Sequence, residues 1–125
     1  MANAATFLVP EPKWRRVNHA YAQNRAANGT TEVVTGRAFY FNSLSYRTAY
    51  VRFDEKIDRV VIKFRNSNFP DAVYVSGLVS SGDLRNESSP FIVNVNGVTG
   101  RVNFGSGGTS SGTFYFDDVY GEVLG

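Results

Sequence analysis

The chain contains no cysteine, which excludes disulfide staples, thiolate metal sites and cysteine nucleophiles. Histidine occurs once, at His19, so a two-histidine metal site is excluded and a single imidazole is left for acid–base work. Helix-favouring residues are scarce: one Met and five Leu stand against sixteen Val, ten Phe and seven Tyr. Val, Phe and Tyr fit a pleated, half-buried surface, so a helical architecture is disfavoured. No apolar run approaches the ~18–20 residues that carry a helix across a bilayer. A secretory leader is not visible either, because residues 1–10 lack a basic start and hold only the short apolar run Phe7-Leu8-Val9. The expectation is synthesis and assembly in the cytoplasm, away from membranes. A strong charge of one sign is lacking too: +2 over 125 residues is a weak field.

Twelve Gly and eleven Asn supply turn residues that tolerate positive φ. Hydrophobic residues make up 42 %, enough for one core. This composition predicts an all-β domain, and the length fits one core better than two.

The chain divides at about residue 30. Residues 1–30 read as an extended basic N-terminal arm, and residues 31–125 as a β-sandwich domain. Pro10 and Pro12 favour an extended path. Lys13, Arg15, Arg16 and Arg25 face only Glu11, so residues 1–25 carry +3 and the remainder −1. Lys13, Trp14, Arg15 and Arg16 form the expected partner-binding segment, with Trp14 packing on the sandwich to pin the arm. Asn18 as a cap and Gly29 as a stop bracket a short helix over 18–28. Removing residues 1–17 is expected to leave the sandwich folded.

Beyond the arm a two-residue period dominates. It predicts strands at 37–42, 47–53, 59–65, 72–79, 91–95, 98–104 and 113–123, with an eighth at 31–34. Asp54-Glu55-Lys56 reads as a turn, and Asn96-Gly97 is a strong hairpin dipeptide. The Gly/Ser-rich stretch 105–112 reads as a mobile loop. In the last strand Phe114 and Phe116 point inward, but Val119 breaks that phase. One extra residue at Asp117-Asp118 is the sequence sign of a β-bulge. Strands at this spacing read as a sandwich, and a jelly-roll-like antiparallel arrangement of seven or eight strands is the best architecture.

Catalytic chemistry is hard to assemble from these residues. His19 sits in the N-terminal region and no serine lies in a nucleophile elbow. Asp54/Glu55 share a turn and Asp117/Asp118 are adjacent, so neither pair matches the facing carboxylates of a glycosidase. Gly105-Ser-Gly-Gly108 lacks the Lys and following helix of a phosphate cradle. The chain is not expected to be an enzyme. The isoelectric point of about 9.0 raises nucleic acid as a partner, but the charges are spread along the chain and it is not expected.

The segment Gly112-Thr-Phe-Tyr-Phe-Asp-Asp-Val-Tyr120 resembles the closing strand of jelly-roll carbohydrate-binding modules. The preceding Arg101-Val-Asn-Phe104, its Gly-rich loop and the strand order from Arg47 to Phe64 are also similar, so the likeness spans roughly residues 37–123. The resemblance implies a jelly roll. It also implies a structural calcium ion, for which Asp117 and Asp118 stand at the matching positions and Glu11 or Glu32 as partner. Adjacent strand residues point to opposite faces, so only one aspartate would meet an ion unless the bulge redirects the other. The other reading is that these aspartates cap their own backbone or pair with an arginine.

The sugar-binding side of the resemblance directs attention to outward positions. Tyr40, Tyr50 and Tyr115, with Arg52, Arg101 and Asn103, form a candidate ligand or interface face; Tyr74 and Asn94 are also outward. Tyrosine beside amide and guanidinium donors suits a sugar ring. The same residues suit a protein interface, or simple strand propensity on a solvated face.

Such a sandwich without an export signal fits a bacteriophage virion protein, because particles assemble in the host cytoplasm and leave by lysis. Small jelly rolls resembling these modules serve as capsid cement, decoration or tail accessory proteins. The expected function is therefore a non-enzymatic virion component, most of all a capsid cement protein. Its expected partners are the major capsid protein or tail proteins, and it is expected to be a homo-oligomer. The alternative is a carbohydrate- or host-receptor-binding module with a glycan ligand.

Overall fold

The computed structural model describes residues 13–25, 31–42, 49–66, 69–76, 82–106 and 113–125. These residues are almost entirely strand: β1 (Trp14–Asn18), β2 (Tyr21–Arg25), β3 (Thr31–Val34), β4 (Phe39–Asn42), β5 (Ala49–Asn66), β6 (Val73–Ser76), β7 (Phe91–Ser106) and β8 (Thr113–Leu124). The only helical piece among them is a 3₁₀ turn at Leu84–Asn86. Every strand pairing is antiparallel, and the eight strands form one sheet.

Two long strands, β5 and β7, run through both halves of that sheet. In one half, β5 residues 49–52 lie between β2 and β7, with β3 and β6 outside them. In the other half, β5 residues 59–66 lie beside β8, whose far edge takes β4 along 113–116 and β1 along 120–124. The inner faces of the two halves meet: Phe104 of the first half stands 6.2 Å from Phe41 and 5.0 Å from Phe116 of the second. The sheet thus folds over on itself as a sandwich with a single core.

The fold-over point is built from two opposed bulges. Arg52 pairs Arg101 and Ile57 pairs Thr99, so residues 53–56 face Gly100 alone. Next, Ile57 pairs Thr99 and Arg59 pairs Asn94, so residues 95–98 face Asp58 alone. Bulges add twist and bend the strand that carries them. Asn96 and Gly97 have φ of 54° and 72°, the values a type I′ turn needs. That dipeptide was expected to end a strand in a hairpin. The halves on either side of it pair with β5 instead of each other, so the same turn chemistry makes a kink. The expected turn at Asp54-Glu55-Lys56 is likewise a bulge inside one strand.

Alternation along the strands explains the core. Val51, Val60, Ile62 and Phe64 of β5, Val102 and Phe104 of β7, and Phe114, Phe116 and Val119 of β8 are all buried. Phe39 and Phe116 stack at 5.0 Å, and Phe64 and Phe114 at 5.8 Å. The phase change in β8 has the predicted cause. Lys63 pairs Asp118 and Phe64 pairs Phe116, which leaves Asp117 as the extra residue.

The N-terminal region differs most from the sequence reading. Residues 14–18 and 21–25 are strands hydrogen-bonded to β8, and to β3 and β5, so no helix spans 18–25. Val17 joins the core. Residues 1–17 include most of β1, which borders β8 along 120–124. Gly105 and Ser106 end β7 and are buried; the rest of the expected Gly/Ser-rich loop lies outside the described residues, as do Glu11 and the end of the expected helix.

Asp83 organises the stretch between β6 and β7. It accepts hydrogen bonds from the Val73 and Arg85 backbone N–H groups at 3.1 and 3.0 Å, and from the Arg85 guanidinium. Burial pushes this carboxyl up, but those donors outweigh it and hold it below the usual aspartate range.

Candidate functional site

The outer face of the β8 half carries an alternation of rings and cations. It arises from strand register: Tyr40 pairs Tyr115, Tyr115 pairs Arg65, and Arg59 pairs Glu122. The Arg59 guanidinium lies 3.6 Å over the Trp14 ring and its Nε donates to Glu122 at 2.8 Å. The Arg16 guanidinium lies 3.9 Å over Tyr120. Arg65 sits 5.6 Å from the Tyr115 ring and donates to Asp117 at 2.8 Å. Among the described residues, six large apolar side chains are exposed, and Tyr40, Ile92, Tyr115 and Leu124 share this face; Val33 and Val98 do not. Guanidinium–ring contacts keep the arginines extended over the sheet instead of free in solvent. The result is a sheet face that is aromatic, apolar and cationic together.

The outer face of the other half carries a second group of outward residues. Tyr50 pairs Asn103 and Arg52 pairs Arg101 across β5 and β7. The Arg101 guanidinium covers the Tyr50 ring at 3.9 Å, and its Nε donates to Asn103 at 2.9 Å. Tyr21 meets the Tyr50 ring edge-on at 6.0 Å. Burial and the hydrogen bond with Tyr21 push the Tyr50 phenol up, against the opposing charges of Arg101 and Arg52. The six outward residues grouped by the sequence reading are therefore split. Tyr40 and Tyr115 meet at 5.6 Å on the β8 half, and Tyr50, Arg52, Arg101 and Asn103 meet on the other. The two bulges put them on different outer surfaces, which a two-residue period cannot reveal.

A cleft of about 440 Å³ opens where the β1–β2 link, the β3–β4 link and β8 converge. Its lining residues are Arg16, Asn18, His19, Thr35, Arg37 and Asp118. Asp118 is buried, and one of its oxygens accepts from Arg16 at 2.5 Å and from Arg37 at 2.9 Å. His19 sits between two backbone carbonyls, with Nδ1 2.7 Å from Val119 O and Nε2 2.9 Å from Gly36 O. A neutral imidazole donates to one of these, and an imidazolium to both. Sequence reading missed the cleft because Arg16, Arg37 and Asp118 converge only through the β1–β8 pairing and the bulge.

No family model, curated protein or solved structure matches the chain. The resemblance to carbohydrate-binding modules thus rests on the β8 motif and its neighbours. At the calcium positions, Asp117 binds Arg65 and Asp118 binds Arg16 and Arg37. The two aspartates point to different environments, one exposed and one buried. Among the described residues no three acidic or histidine side chains converge as metal ligands. Of the arm residues, Trp14, Arg15 and Arg16 have side-chain partners within the chain. Arg15 forms a two-point ion pair with Glu55 at 2.6 and 3.1 Å, whose hydrogen bonds hold the Glu55 carboxyl below its ordinary range. Lys13 is exposed, and its carbonyl accepts from the Gly125 N–H at 2.9 Å.

Proposed function

We propose that this chain is a non-enzymatic virion component, a capsid cement or decoration protein that docks on neighbouring capsid subunits through the outer face of the β8 half. The observation that carries the docking part is the exposed Tyr40–Tyr115 pair, in contact at 5.6 Å beside Arg65, on a face that also bears Arg16, Arg59, Ile92 and Leu124. Interface cores are enriched in Tyr, Trp and Arg, and a few such residues dominate binding. The virion setting is supported by the β8 motif and by the absence of cysteine, which suits assembly in a reducing cytoplasm. Symmetric assembly would add stability to a small domain without disulfides.

The test is to establish whether a neighbouring gene encodes a major capsid protein, and then to co-sediment the chain with undecorated particles built from that protein. Saturable co-pelleting is expected, weakened about tenfold or more by Tyr40→Ser with Tyr115→Ser, the loss expected for interface anchors. No co-pelleting of the folded wild-type chain contradicts the proposal.

A glycan ligand is the second reading, favoured by the exposed Tyr40–Tyr115 pair beside Arg65. Tyr50 is a poor stacking platform, because Arg101 already covers its ring. A glycan array separates the readings: hits lost in Tyr115→Ser favour the sugar, and an empty array removes it.

A further inference from the structure

We propose that the cleft between Arg16 and Arg37 is an oxyanion-binding site, taking a carboxylate or phosphate group carried by a small molecule. This goes beyond the docking reading and does not depend on it.

The charge arrangement is the first argument. One guanidinium is enough to compensate a buried carboxylate, yet Asp118 receives two on a single oxygen. The carboxylate side chain is 4 % exposed, whereas those of Arg16 and Arg37 are 37 % and 67 % exposed. The cleft therefore shows solvent a surplus of guanidinium, and Asp118 acts as the anchor that holds both forks side by side. Asp118 is the only acid among the lining residues.

The donors supply the second argument. Arg16 spends Nε on Asn18 Oδ1 and Nη2 on Asp118, and Arg37 donates to Asp118 from Nε. A guanidinium has five N–H donors in a rigid fork that matches carboxylate and phosphate oxygens two at a time. Fixing each fork by one edge leaves the other edge oriented in advance, which lowers the entropy cost of binding. Thr35 also lines the cleft. The volume, about 440 Å³, falls within the roughly 300–1,000 Å³ of small-molecule sites.

The test is an NMR titration of the full chain with sodium phosphate and, separately, sodium acetate at constant ionic strength. Saturable shifts centred on His19, Thr35 and Arg37 are expected for at least one anion, and the anion that saturates first tells phosphate from carboxylate chemistry. Arg37→Gln should weaken binding about tenfold or more, as expected for loss of a charge-assisted hydrogen bond. Arg37→Lys should recover only part of it, because charge without the fork is insufficient. Lys56→Gln, which removes an exposed cation in the β5 bulge away from the cleft, should bind as the wild type does. Absence of saturable shifts with both anions, or equal binding by wild type and Arg37→Gln, would overturn the proposal.

Discussion

Gly100 tests the fold-over point most sharply. A Cβ at this position would lie 2.7 Å from the Glu55 carbonyl oxygen and 2.9 Å from that of Phe53. Both are backbone atoms of the β5 bulge and cannot rotate away. Gly100→Ala must therefore push residues 53–56 off β7, and with them Phe53 and Ile57, which are 2 % and 0 % exposed. Overpacking of this kind costs about 1–3 kcal/mol, and lifting two core side chains places the effect at the upper end. For a domain of this size each kcal/mol lowers the melting temperature by roughly 3–5 °C, so a fall of roughly 6–15 °C is expected. Differential scanning calorimetry with a parallel urea titration reads it. Gly36→Ala is the control: its Cβ would meet only the Ala38 carbonyl at an ordinary 3.4 Å, and a neutral or slightly stabilising effect is expected. If Gly100→Ala melts with the wild type, the two strands do not cross as closely as described and the fold-over argument fails.

Asp83→Asn should lose about 1–2 kcal/mol at neutral pH, through weaker acceptance from Arg85 and the two backbone donors. Because the folded carboxyl titrates below its ordinary range, its contribution is complete above the unfolded value of about 3.9 and is lost as pH falls through the lower folded value. Urea midpoints of both proteins should therefore converge in acid; a constant gap at every pH contradicts this. Phe104→Ala removes the ring that joins the two inner faces and should cost ~3–5 kcal/mol by denaturant unfolding; a loss under ~1 kcal/mol would mean the halves do not share a core. A chelator should leave the melting temperature unchanged, because arginines occupy Asp117 and Asp118; a clear drop would restore calcium as their partner.

The fold class was legible because Val, Phe and Tyr alternate with polar residues over most of the chain, and the Asp117 bulge was legible because Val119 breaks that alternation. Strand connectivity was less so. Asn96-Gly97 and Asp54-Glu55-Lys56 carry turn chemistry, and only the pairing partner decides whether such a turn reverses a chain or kinks it. The helix expected over 18–28 differs for a related reason. Its alanines, with Asn18 and Gly29 at the ends, suit a short helix locally, but β3 and β5 offer edges that residues 21–25 fill as a strand. The candidate face was half legible: each outward residue follows from the period, whereas the partition into two surfaces depends on bulges. The Arg16–Asp118–Arg37 cluster joins residues far apart in sequence, and no local pattern announces it.

The docking face is tested most directly by hydroxyl-radical footprinting of the chain free and bound to undecorated particles. Tyr40 and Tyr115, exposed when free, should be strongly protected on the particle, while Tyr21 and Tyr50 on the opposite half keep their free reactivity. Protection of Tyr21 and Tyr50 with Tyr40 and Tyr115 unchanged would place the contact on the other surface and contradict the account.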